Sequence, residues 1–124
     1  MPRLELTDRE LIVHLSFWEM LAALHKSVRV PLTHVRGATE DAGYSGADMG
    51  IRLPGTYLPG VIAAGTYYNN GDKQFVYVTR KTHPVVIELT DGSFARIVLG
   101  VADARAAAAR VNAAVDKAKV RTTL

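Results

Sequence analysis

Two Pro-Gly pairs, Pro54-Gly55 and Pro59-Gly60, stand five residues apart in the run from Arg52 to Thr66, which then continues as an apolar segment. Proline holds φ near −65° and glycine accepts positive φ, so each pair suits the centre of a type II turn. Two such turns in quick succession predict a rigid, folded-back loop, not a flexible linker. The run carries no nucleophile with a base, no paired acid and base, and no set of metal ligands. It constrains the fold far more than the chemistry.

The remaining composition narrows the class. At 124 residues, 48% hydrophobic and 22% charged, the chain fits one ordered domain, with a core from about residue 8 to 119 and a tail at 120–124. No window approaches the roughly 18 apolar residues of a membrane span. The charged N-terminal stretch has no secretory h-region, so a cytoplasmic location is expected. Cysteine is absent, which excludes disulfides, thiolate chemistry and Cys-ligated zinc. The net charge of +3 resides mainly in Lys117, Lys119 and Arg121, too sparse a basic stripe for nucleic acid.

Along the chain, Thr7-x-x-Glu10 and Ser16-x-x-Glu19 both read as helix-capping boxes. A cap in the middle of a helix serves no purpose. The preferred reading is therefore a strand from about Glu10 to Leu15, then a short helix from Phe17 to about Leu24, with Leu15 and Met20 as its hydrophobic staple. Val28 to Leu32 and His34 to Thr39 are further strand candidates, and Glu40 to Gly50 is a glycine-rich loop. Asn70-Gly71 joins Ile62–Tyr68 to Gln74–Thr79 as a hairpin, and Asp91-Gly92 joins Val85–Leu89 to Phe94–Val101. Consecutive hairpins predict an antiparallel meander. Asp103 then caps a helix to about Lys119, whose apolar face carries Ala104, Ala107, Ala108, Val111, Val115 and Ala118. The expected fold is mainly β (α+β): about seven antiparallel strands in a split barrel or orthogonal sandwich, plugged by the last helix.

That order resembles the pleckstrin-homology-like (PH-like) barrel. From Leu11 to Val115 the chain is also similar to a bacterial family of small stand-alone PH-like domains with no assigned activity. The likeness is carried by Val28 to Pro31, by Arg52, Pro54 to Thr56 and Pro59 to Ala63, by Gly65 and Thr66, and by Val86, Glu88, Leu89, Phe94, Arg96, Val101 and Asp103. It implies a fold with a short helix after the first strand and a C-terminal helix capping the barrel. Eukaryotic pleckstrin-homology domains usually carry a tryptophan in that last helix, whereas the only tryptophan here is Trp18. Phosphoinositide binding is therefore not carried over.

No constellation in the sequence points to catalysis. His14, His25, His34 and His83 are scattered without metal spacing, and no Gly-x-Ser-x-Gly elbow occurs. Ser16 is explained by capping, Ser93 by a turn and Thr56 by its Pro-Gly turn. Neither a cofactor nor a metal is expected. The remaining candidates are binding residues: Trp18, with Phe17, as an interface anchor if it faces solvent, and Lys26, Arg29, Arg52 and Tyr57 at a rim. The expected function is a non-catalytic binding or scaffold module that contacts a protein partner or itself, in part by strand addition. The alternative is weak binding of anionic lipid headgroups or a phosphorylated ligand by the basic rim. A small enzyme requires a concave pocket with a shifted acid or histidine.

Overall fold

Thr7 opens a hairpin, not a helix. Its Oγ1 accepts hydrogen bonds from the Glu10 N–H at 2.9 Å and the Arg9 N–H at 3.3 Å, and its own N–H donates to the Glu10 carbonyl at 2.9 Å. These bonds turn β1 (Arg3–Leu6) back onto β2 (Glu10–His14). The strand β1 is an addition to the elements expected from the sequence, so the short helix α1 (Phe17–Ala23) follows the second strand, not the first. The computed structural model describes residues 2–23, 26–40, 51–58, 62–69, 72–79, 82–90 and 94–123, without the side chains of 22–23, 51–58, 62–63, 67, 69 and 121–123.

β3 (Val28–Pro31) completes a three-stranded antiparallel sheet in the order β1-β2-β3. Pro31 has no N–H to continue a ladder, and the chain leaves the sheet there through a 3₁₀ turn at Leu32–His34. The Leu32 N–H is held by the Arg9 carbonyl at 2.8 Å. A second sheet then forms from β4 (Val35–Glu40), β5 (Ile51–Leu58), β6 (Ile62–Asn69), β7 (Asp72–Thr79), β8 (His83–Leu89) and β9 (Arg96–Val101). Its strand order is β4-β8-β9-β7-β6-β5. The fold is mainly β, of the α+β class, and among the described residues neither sheet closes into a barrel.

Both expected hairpins form. β6 and β7 pair up to Asn69 opposite Asp72, and β8 and β9 pair up to Glu88 opposite Arg96. The turn residues 70–71 and 91–93 lie outside the described residues. The meander does not form, because β9 enters between β7 and β8 and pairs parallel to β7. The β7–β8 connection must therefore pass over β9. Thr82 tightens that crossing: its N–H and Oγ1 donate to the Thr79 carbonyl at 3.1 and 2.7 Å, and its Oγ1 accepts the Thr79 N–H at 3.2 Å. Beneath lies Gly100. A Cβ there would collide with the Thr82 hydroxyl, 2.8 Å from Thr82 Cβ and 3.1 Å from Val78 Cα. Hairpin signals describe neighbouring strands, and they cannot register a crossing made possible by one missing side chain.

The Pro-Gly run is corrected as well. Pro54-Gly55 is not a turn. It lies within β5, where Arg52 pairs with Tyr67 and Gly55 with Gly65, so that Leu53 and Pro54 oppose a single residue, Thr66. That is a β-bulge, and at the edge of a sheet proline's missing donor is tolerated. Gly65, opposite the bulge, has φ 140°, a conformation that side-chain-bearing residues rarely adopt. Pro59-Gly60 falls between β5 and β6, outside the described residues.

The second helix, α2 (Ala104–Thr123), is capped by Asp103, whose Oδ1 accepts the Ala106 N–H at 3.0 Å. It continues past Lys119. Ala104, Ala107, Ala108, Val111 and Val115 are buried along the expected face, against β4, β8, β9, β1 and the 3₁₀ turn. Three consecutive residues set its position. Val111, fully buried, points into the core, and its neighbours lie about 100° to either side. Asn112 reaches β4: its Oδ1 accepts the Ala38 N–H at 2.9 Å and its Nδ2 donates to the Ala38 carbonyl at 2.8 Å. Arg110 reaches β1, donating to the Leu4 carbonyl at 3.4 Å. β1 and β4 are both terminal strands, so α2 covers one edge of each sheet. The core between them joins Leu11, Val13, Phe75, Ile87, Ile97 and Leu99 with Val111. A small second cluster, Val76, Val86 and Val98, lies on the other face of the large sheet. No helix among the described residues is long and apolar enough to cross a membrane.

Two stability predictions follow from these contacts. Gly100→Ala should destabilise the protein by about 1–3 kcal/mol, the usual penalty for forcing extra volume into a packed site. Asn112→Ala should cost about 1–3 kcal/mol, because it strands both backbone groups of Ala38. Urea unfolding followed by circular dichroism measures each, and wild-type midpoints would refute the assigned contact.

Candidate functional site

The phase of α1 is set by its cap. β2 ends at His14, Leu15 is buried, and Ser16 becomes the N-cap. Ser16 Oγ accepts the Glu19 N–H at 3.3 Å, and the Ser16 N–H donates back to Glu19 Oε1 at 2.8 Å. This reciprocal capping box matches the one read from the sequence. It also draws Glu19 toward the protein, where the side chain is 8% exposed. Burial pushes the Glu19 carboxyl up, but a hydrogen bond from the chain's α-ammonium, then the Ser16 N–H bond and the ammonium's charge, outweigh this and hold it below its ordinary 4.5. Buried Tyr77 on β7 is raised above its ordinary 10.0, first by burial and then by the Glu19 charge. The carboxylate therefore lies on the side of α1 that meets the large sheet.

At 100° per residue, a helix that turns Glu19 inward turns Phe17 and Leu21 outward, with Trp18 on the flank. The exposures agree: Phe17 67%, Trp18 73% and Leu21 53%. The Phe17 and Trp18 rings meet edge to face at 5.4 Å, and Leu21 is one turn from Phe17. α1 thus presents Phe17, Trp18 and Leu21 to solvent while it buries a carboxylate and packs Met20 against the core. Among the described residues these three account for all the exposed large hydrophobic side chains except Val120 near the end of α2.

The other candidates are only partly assembled around this surface. α1 packs against β5 and β6, so Trp18 belongs to the same side of the molecule as the strand bearing Arg52 and Tyr57. Those two residues pair in register with Tyr67 and Ala63, and their side chains are outside the described ones. Lys26 is exposed in the segment after α1. Arg29 is not a free cation for a ligand: on β3 it forms an ion pair with Glu10 at 3.2 Å. Leu21 was missed in the sequence as a surface residue. Its signal was the i,i+4 spacing from Phe17 on the side opposite the capping-box glutamate.

Chemistry is less well represented. His14 forms a hydrogen-bonded pair with Glu5, which lowers the Glu5 carboxyl. No three His, Cys, Asp or Glu side chains among the described residues cluster as metal ligands. A depression of about 280 Å³ at the start of α2 is lined by Glu40, His83, Pro84, Asp103 and Arg105. Asp103 there is the cap of α2, and Arg105 faces Glu40 at 3.9 Å. Asp103 is thus engaged in the helix cap, and Glu40 and Arg105 pair at the surface. Compared with known protein families, characterised proteins and solved structures, the chain matches none.

Because Glu19 is held below its ordinary value, its contribution to stability is present above pH 4.5 and lost as pH falls through the lower folded value. Glu19→Gln should therefore melt with a shallower dependence on acid than wild type. Ser16→Ala should lose about 1 kcal/mol at neutral pH. Thermal melts across an acid series check both, and equal acid slopes for wild type and Glu19→Gln would contradict the assignment.

Proposed function

We propose that the protein is a non-catalytic binding or scaffold module that acts through protein–protein contacts made by α1. The reading is supported by one observation above the others: Phe17, Trp18 and Leu21 are held out in solvent by a helix whose capping box turns a carboxylate inward. Exposed aromatic side chains are the usual anchors of interfaces, since they bring large area with little conformational entropy to lose. The PH-like resemblance of the sequence implies a fold and adds no activity to this reading. It is supported by the C-terminal helix and weakened by the parallel β7–β9 pair and the two open sheets. The engagement of Arg29 with Glu10 makes the basic-rim alternative, an anionic lipid or phosphorylated ligand, the less favoured reading.

Trp18 is the only tryptophan, so its fluorescence reports directly on this surface. The free protein should emit at the red, water-exposed limit and be readily quenched by acrylamide. A photo-crosslinker in place of Leu21 should capture a protein in the native lysate, and Trp18→Ser should abolish that capture while leaving the circular dichroism melt unchanged. Capture that survives Trp18→Ser removes the proposed anchor. A blue shift with anionic vesicles that vanishes in high salt would instead transfer the function to the lipid reading.

A further inference from the structure

We infer that α1 is an acid-released strap: when the buried Glu19 carboxylate is neutralised, the helix leaves the large sheet while both sheets and α2 stay folded. The inference rests on the reading of α1 as the binding surface and names its regulation, because release ends the fixed presentation of Phe17, Trp18 and Leu21.

The segment that carries α1 is closed at its base. Val13 on β2 pairs with Val28 on β3, and just beyond that pair the Leu15 N–H donates to Ser27 Oγ at 3.0 Å. The chain therefore leaves the small sheet and rejoins it at one place, and α1 can move without altering any strand pairing. Its hold on the rest of the molecule is small. A helix of seven residues is far below the roughly 12 that persist alone in water, so the order of α1 depends on docking. Among its described side chains, Phe17, Trp18 and Leu21 face solvent, while Glu19 and partly buried Met20 turn inward. The core itself, from Leu11 and Val13 through Phe75, Ile97 and Leu99 to Val111, is built by the strands and α2.

A carboxylate at this point is a conditional attachment. Charged, Glu19 accepts the Ser16 N–H and meets the chain's α-ammonium; neutral, it loses the attraction of that cation. The charged and titratable groups around it are the α-ammonium, Tyr77 on β7, and those of the two strands against which α1 packs: Arg52 and Tyr57 on β5, Tyr67 and Tyr68 on β6. Phenols, a guanidinium and an ammonium each keep one charge state throughout acid, so Glu19 is the member of this set that titrates there. Its carboxyl is held below the ordinary 4.5. The attachment is therefore intact above pH 4.5 and is lost as pH falls through the lower folded value.

The test is amide hydrogen exchange by NMR on the full chain as pH is lowered from about 6 to about 3, with the Glu19 carboxyl carbon observed on the same samples. Residues 19–23 should lose protection in step with the titration of Glu19, while Phe75, Leu99 and Val111 keep theirs. Trp18 fluorescence anisotropy should fall over the same interval. Glu19→Gln keeps a capping acceptor but has no carboxyl to titrate, and it should remove the acid step. Loss of protection in α1 and in the core at one common pH is general acid unfolding and overturns the strap. An acid step that persists in Glu19→Gln overturns it too, as does α1 protection that survives the full titration of the Glu19 carboxyl. These readings hold whether or not α1 binds a protein, and capture through the Leu21 crosslinker at neutral pH decides the binding reading separately.

Discussion

A β-rich chain of this size must dispose of its sheet edges, and α2 does so at two of the four, β1 and β4, with three neighbouring residues. Val111 anchors the helix in the core, and Arg110 and Asn112 extend to either side as hydrogen-bonding arms. The asparagine arm is the stronger. Its amide has the donor and acceptor of a peptide group, so Ala38 meets it as it would meet a neighbouring strand. A closed barrel would have satisfied the same groups with another strand. Here a helix takes the strand's place, and the two sheets remain separate walls around one core.

What could be read from the sequence follows from the range of each signal. Local chemistry was legible: Ser16-x-x-Glu19 caps a helix, Asp103 caps another, and the alanine–valine face of α2 is buried as its spacing required. Asn70-Gly71 and Asp91-Gly92 flank strands that pair as hairpins. The failures are all non-local or ambiguous. The strand preferred from Glu10 forms as β2, but the added strand β1 was missed, since Thr7-x-x-Glu10 carries the residue types of a capping box and uses its hydroxyl to fold a strand pair. Pro54-Gly55 suits a turn by its dihedrals, yet at an edge the same dihedrals make a bulge. The insertion of β9 depends on the close approach of Thr82 to Gly100, eighteen residues away along the chain. A glycine within an apolar strand was the only trace of it.

The candidate surface was half legible for the same reason. Trp18 and Phe17 stand out by type, but type does not tell a core aromatic from an exposed one. The deciding information lay in the glutamate three residues after the cap, because a capping box sets the rotation of the first turn as well as its start. Among the cations the sequence offered, charge alone could not separate Arg29, which faces Glu10 across the β2–β3 pair, from one open to a ligand. Cross-strand neighbours decide such cases, and they are known only once the register is known.

The orientation of α1 then presents an energetic contrast. Burying a large apolar side chain is worth about 1.5–3 kcal/mol. Rotating α1 by half a turn would place Phe17 and Leu21 against the sheet and release Glu19 to water. The fold leaves that gain unrealised because buried Leu15 and the end of β2 fix Ser16 as the cap, and the capping box then fixes the phase. An exposed apolar face that could have been buried by a simple rotation, yet is held outward by specific hydrogen bonds, is poorly explained as incidental surface. It lies against β5, the strand whose outer edge α2 does not reach, while the edges of β4 and β1 are covered.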